Sequence, residues 1–381
     1  MKKIITLGLA LICMFFIAFP CYAQSNDSAV QEQLDEMTNE IQRGMENAVD
    51  GDVNEILQEN DISVKNSEGI SKISVGSVIN SVLSSFTGVL KKPLVMLGKI
   101  IAITLLCVTA KSMAPGGSSV TSTFGIIGIL SAIAVMYDTV YASFEIISQS
   151  LQKLSDFMTS YIPIFSSVVA VGGNITSSGS YYAVTFILCE IIGIVANKVI
   201  MPFLSIVLAI SLVSAINPEL QFSGAADSIK KASQWILAGL MTIFVGLLSI
   251  QGLTGSAADT LTSRTLKFAA SSFIPVIGGA VSEAYSTVCS SMGVIRTGVG
   301  SIGIIVISVM VLKPIISIIA IKFIISLAQI ISGMFGQKEC CEFLKSTNAV
   351  LSIGMSVVIC FSLIFIIATA VLMLTAMNIA I

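Results

Sequence analysis

From about residue 93 onward the chain alternates long apolar runs with short polar stretches. Runs lie at about 93–113, 124–147, 181–200, 202–217, 236–253, 293–312, 314–332 and within 349–377. Most approach the roughly 20 residues that a helix needs to cross hydrocarbon. Runs of this length predict helices, since a barrel strand needs only about ten residues with alternating polarity. The predicted architecture is all-α, a polytopic helical membrane protein of about eight spans.

The first 92 residues follow other patterns. Met1-Lys2-Lys3 gives a positive start, Ile4 to Phe19 an apolar core, and Pro20-Cys21-Tyr22-Ala23 small residues before polar Gln24. This predicts a signal peptide over 1–23, cut after Ala23. Residues 24–92 then form an acidic helical segment expected outside the cytoplasm. Val30, Leu34, Met37, Ile41, Met45 and Ala48 recur at spacings of three and four, which makes one apolar helical stripe. Val78, Ile79, Val82, Leu83, Phe86, Val89 and Leu90 make a second, suited to lying in the membrane interface. The polytopic domain occupies 93–381.

That domain repeats itself. Ser160-Tyr161-Ile162-Pro163 followed by Pro202 is echoed by Ser272-Phe273-Ile274-Pro275 followed by Pro314, each proline displaced by 112 residues. The flanks agree, Pro202-Phe203-Leu204-Ser205-Ile206 against Pro314-Ile315-Ile316-Ser317-Ile318, and Lys92-Pro93-Leu94-Val95 begins a looser copy. Units of about 110 residues thus start near residues 93, 202 and 314. After Pro163 only about ten apolar residues precede Gly172-Gly173-Asn174, and Pro275 leads at once to Gly278-Gly279. Both stretches are too short to span, so they are expected to be re-entrant or interfacial. With those elements excluded, three spans separate them and successive units are inverted, as in many transporters. If they cross, the units are parallel.

Composition narrows the function classes. Hydrophobic residues are 55% of the chain and charged residues 11%, against roughly 25% charged in soluble proteins. The absence of His removes the commonest general base and metal ligand. Eleven of the 22 acids lie between Gln24 and Ile62 with Arg43 as the single base, which argues against a nucleic-acid partner there. The eight cysteines form no C-x-x-C and read as small buried hydrophobes. No P-loop, G-x-S-x-G or metal-spaced cluster occurs. No enzyme activity, cofactor or metal is expected.

Lys99, Asp138, Glu190 and Lys322 fall inside apolar runs. Charges there are costly and by default mark a polar path or an ion pair across helices. Structural pairing or snorkelling is the plainer account, and Glu190 with Lys322 is the pair to test first. Gly278-Gly279 and Gly298-Val299-Gly300 favour close packing.

One block is more specific. Ile250-Gln251-Gly252, Asp259, Arg264-Thr265, Lys267-Phe268 and Phe273-Ile274-Pro275-Val276-Ile277-Gly278-Gly279 resemble the stage III sporulation protein AE family. The likeness extends over nearly the whole chain, with Gln251, Gly252, Asp259, Arg264 and Lys267 read as a family-like loop. The resemblance implies a multi-span component of a channel or feeding tube between mother cell and forespore, in the mother-cell membrane around the forespore. It implies as partners the stage III sporulation proteins AA to AH and stage II sporulation protein Q, besides the lipid bilayer. The family supplies no catalytic residues. A stand-alone permease and a non-conducting scaffold are the alternatives.

Overall fold

The computed structural model describes residues 27–47, 49, 75–113, 118–216, 223–273 and 278–375. The expected signal peptide, the acidic stretch after residue 50 and Pro275 lie outside them. The chain divides into two units, Met1–Ile41 and Gln42–Ile381. Helix α1 (Asp27–Asn47) crosses this boundary. Along it Thr38, Ile41 and Met45 are buried while Glu36, Asn39, Glu40, Arg43 and Glu46 are exposed, the stripe that the spacing predicts.

The second unit holds α2 (Val75–Met113), α3 (Ser118–Val171), α4 (Ile175–Ile194), a π-helical turn (Val195–Ile200), α5 (Met201–Ile216), α6 (Ser223–Phe273), α7 (Gly278–Met334) and α8 (Lys338–Thr375). Every regular element among the described residues is helical.

Among the described residues six stretches are long and apolar enough to cross a membrane: Leu90–Met113, Thr123–Val171, Ile175–Ser214, Ser228–Thr265, Ser286–Met334 and Cys340–Leu374. The sequence reading counts eight because it breaks the chain at prolines. The structure keeps those helices running. The runs at 181–200 and 202–217 join through the π turn into one stretch, and those at 293–312 and 314–332 join through Pro314 inside α7. A proline in mid-helix removes one N–H and crowds the carbonyl four residues earlier. The π turn immediately before Pro202 relieves that crowding by lengthening the hydrogen-bond register.

Pro163 likewise lies inside α3, a continuous 54-residue helix. The apolar stretch around and after it forms the last turns of that helix, with Tyr161, Ile162, Phe165, Val168 and Val169 all at most 1% exposed. Phe157, Tyr161 and Phe165 stack in an i, i+4 ladder with ring centroids 5.3 and 5.4 Å apart, and Tyr181 meets Phe165 edge-on at 5.8 Å. Such pairs add about 0.5–1.5 kcal/mol each. This matters in a bilayer, where packing and not water exclusion holds helices together.

The helices run up and down. Two three-residue turns, Gly172-Gly173-Asn174 and Phe335-Gly336-Gln337, reverse the chain between α3 and α4 and between α7 and α8. Each places glycine at positive φ (87° at Gly173, 70° at Gly336). In each, the next N–H reaches back five residues, Asn174 to Val169 and Gln337 to Ser332, which is the helix ending that favours glycine. Lys111 near the end of α2 donates to Gln337 Oε1 at 3.2 Å, so the α2 end and the α7–α8 turn share one end of the bundle. Helix α8 is the centre. It packs on α7, α6, α3 and α5, and Val350, Leu351, Val357, Val358, Phe361, Ile364 and Ala368 along it are fully buried. Leu106, Ile187, Ile243, Val294 and Phe323 cover the outer faces as exposed apolar side chains, a surface that suits lipid. Trp235 is 80% exposed on the first half of α6, as an interfacial anchor would be.

Candidate functional site: a buried polar seam

Helix α4 starts without a cap of its own. Asn174 occupies the cap position but its side chain makes no capping bond; its Nδ2 donates to the Gly172 carbonyl at 3.2 Å. The first free N–H groups of α4 are instead bound by Asp259 of α6. Thr176 N–H donates to Oδ1 at 2.7 Å and Ser177 N–H to Oδ2 at 2.8 Å. Asp259 is 1% exposed, and a carboxylate in that position is stabilised by two charge-assisted bonds and the helix dipole.

One turn back on α6, Gly255 lets the two helices close up. A Cβ there would lie 2.8 Å from Ser177 Oγ and 3.1 Å from Ser177 Cα. One turn further back is Gln251. Its Oε1 and Nε2 are both buried with no hydrogen-bond partner among the described residues. Ser177 Oγ and Tyr181 OH, which share a cavity with it, and Thr185 Oγ1 one turn further along α4 are also buried and unpartnered among the described residues. So Gln251, Gly255 and Asp259 on α6 oppose Ser177 and Tyr181 on α4, all at spacings of four residues, and the helices run antiparallel.

A cavity of about 10 Å³ lies at the centre of this seam, lined by Ser177, Tyr181, Gln251, Gly252 and, from α8, Ala368 and Leu372. That is room for about one water. Tyr181 and Tyr161 both stand beside Thr369 of α8; the Thr369 hydroxyl itself donates to the Phe365 carbonyl, and the Tyr181 hydroxyl makes no bond of good geometry. Tyr161 OH donates to the Val299 carbonyl of α7 at 3.3 Å. A Cβ at Gly303 would run into the Tyr161 ring, so α7 comes this close to α3 only through glycine. Each unmet buried polar group costs about 1–3 kcal/mol. The seam can hold ordered water or a small polar group. Among the described residues no cluster of three or more His, Cys, Asp or Glu is placed to hold a metal ion.

The sequence-predicted residues separate. Gln251, Gly252 and Asp259 meet in the seam. They stand on helix α6 and not in a loop; Arg264 is on the same helix and exposed. Lys267 is within α6, and Gly278 and Gly279 open α7. Lys99, Asp138 and Glu190 are exposed on α2, α3 and α4, and Lys322 is half-buried on α7. Glu190 and Lys322 make no ion pair. Arg296, buried on α7 at 5% exposure, is an intramembrane charge that the sequence reading passed over. It also missed Ser177, Tyr181 and Thr185, whose spacing matches that of Gln251, Gly255 and Asp259. The six cysteines of the described region are free thiols, four of them buried.

Comparison with known proteins bears on this arrangement. The sequence profile of the family described as stage III sporulation protein AE matches residues 58–376, which include every helix of the seam. The stage III sporulation protein AE of Bacillus subtilis (strain 168) is 26% identical over 243 residues, or 63% of this chain. The match spans 61% of that relative's length. No solved structure matches. A profile match over most of the chain, on a bundle of long apolar helices, leads to one assignment: the chain belongs to the stage III sporulation protein AE family.

Proposed function

We propose that this protein is a non-catalytic, multi-span membrane component of the transenvelope channel complex joining mother cell and forespore. The observation that carries the reading is the family match through residues 58–376. The apolar outer surface and six long apolar helices support a place within a membrane. On this reading the protein sits in the mother-cell membrane around the forespore. Its partners are the stage III sporulation proteins AA to AH and stage II sporulation protein Q. The seam then serves to lock α4, α6 and α8 in register. A stand-alone permease gains little from the seam, since a cavity of about 10 Å³ admits no solute larger than water.

The test is co-purification. A tagged copy that restores spore formation to a null strain is cross-linked in sporulating cells and recovered in mild detergent. Recovery of other stage III proteins supports the proposal. A functional tagged copy that brings down none of them overturns it. Solute flux by the purified protein in liposomes would instead establish the permease.

A further inference from the structure

An open groove of about 440 Å³ lies between α7 and α8, away from the seam. Lys322 and Lys345 line it, together with the amides of Gln329 and Asn348 and the apolar side chains of Ile319 and Phe323. No carboxylate is among its lining residues. Asn348 Nδ2 donates to Ser326 Oγ at 2.6 Å, and Ser326 Oγ donates to the Lys322 carbonyl at 2.9 Å. That chain ties the two helices together beside the lysines. It leaves the second N–H of Asn348 and the Gln329 amide for a ligand. Lys345 is held only loosely, 3.9 Å from Glu342, with both side chains about two-thirds exposed.

The position of the groove matters as much as its charge. Its upper part opens on the polar first turns of α8, next to the turn at 335–337. Its lower part reaches into the apolar run of α7, where Ile319 and Phe323 flank Lys322 and are 48% and 62% exposed. Two cations and amide donors at the edge of the apolar layer, with an exposed apolar wall below, match one kind of ligand. It carries a phosphate at its head and hydrocarbon beneath. From this geometry we infer that the α7–α8 groove binds the phosphodiester headgroup of an anionic phospholipid. Lys322 and Lys345 contact the phosphate, the Asn348 and Gln329 amides donate hydrogen bonds, and an acyl chain lies on Ile319 and Phe323. This rests on the groove alone and stands whether or not the protein joins a larger complex.

The test uses the purified full-length protein in detergent and native mass spectrometry with added phosphatidylglycerol or phosphatidylcholine. Phosphatidylglycerol is expected to be retained preferentially. The double variant Lys322→Gln/Lys345→Gln should bind it about 30-fold more weakly, from the contribution of two lysines near a membrane surface. Lys231→Gln, at an exposed lysine on α6, should leave binding unchanged. Circular dichroism and melting of each variant show that the fold is retained. Equal retention of both lipids by the parent, or an equal loss in the Lys231→Gln control, overturns the site. So does a double variant that binds phosphatidylglycerol like the parent, or fails to fold while Lys322→Gln alone folds and binds normally. Displacement of the lipid by millimolar inorganic phosphate would assign the groove to a free anion and overturn the lipid assignment.

Discussion

Asp259 is where one side chain does most for the bundle. It closes the N-terminus of a distant helix, binding the N–H of Thr176 83 residues earlier in the chain. Replacing it by Ala leaves two N–H groups without acceptors, one buried and one part-buried, and should lower stability by about 2–4 kcal/mol. Asn keeps one acceptor oxygen and should cost less. Thermal unfolding of the detergent-solubilised variants checks the order; an Ala variant as stable as the parent would show that the cap is dispensable. Glu190 and Lys322 call for the opposite expectation. The exposed carboxylate and the groove lysine make no ion pair, so a double-mutant cycle should give a coupling within about 0.5 kcal/mol of zero. A larger coupling would mean that they meet. Asp259 and Gln251 were legible as special residues through their family-like setting. What they do was not, because the partners of Asp259 are backbone N–H groups on another helix. Those groups carry no residue-specific mark in the sequence. The exposure of Lys99, Asp138 and Glu190 was hidden for a similar reason. In a helix that is apolar nearly all round, periodicity does not say which side faces the neighbours.

At the scale of elements, close approach through glycine explains how α4 can lie on α6. Gly255→Ala would press a methyl group against Ser177, and overpacking of this kind costs about 1–3 kcal/mol. Gly98→Ala on α2 has open space around it, and should be neutral or slightly stabilising through helix propensity. Melting temperatures of the two variants, measured side by side, separate packing from propensity; equal shifts would remove the close-approach argument. The helix class and the places of most apolar runs could be read from the sequence. Helix continuity could not. Pro163, Pro202 and Pro314 read as boundaries because each forfeits a hydrogen bond. Tyr161, Ile162 and Phe165 around the first, and Val311, Ile318 and Ile321 around the last, are buried, and that packing carries the helix past the proline. Pro202, between them, is carried by a π turn.

The contact that caps α4 bears on the orientation of the repeats. Asp259 binds Thr176 and Ser177, so the second half of α6 lies beside the turn at 172–174. That turn begins nine residues after Pro163, and α6 continues for fourteen residues past Asp259. Met292, fourteen residues into α7, also approaches this turn, its Cβ 3.5 Å from where a side chain at Gly172 would begin. Helices α3 and α6 therefore run in the same direction. Between them lie two candidate spans, Ile175–Ser214 and Ser228–Thr265, in place of the three that the sequence reading counts. An even number returns the chain to the side it left, which favours parallel units, the arrangement expected if the Ile-Pro elements cross. Single cysteines decide the matter in a background without native cysteines. Val171→Cys and Thr265→Cys, both at exposed positions, should react with an impermeant maleimide from the same face of sealed vesicles. Lys338→Cys, exposed at the α7–α8 turn, should react from the opposite face, since α7 crosses between. Labelling of Val171→Cys and Thr265→Cys from opposite faces would restore inverted units and require a third crossing within 175–273.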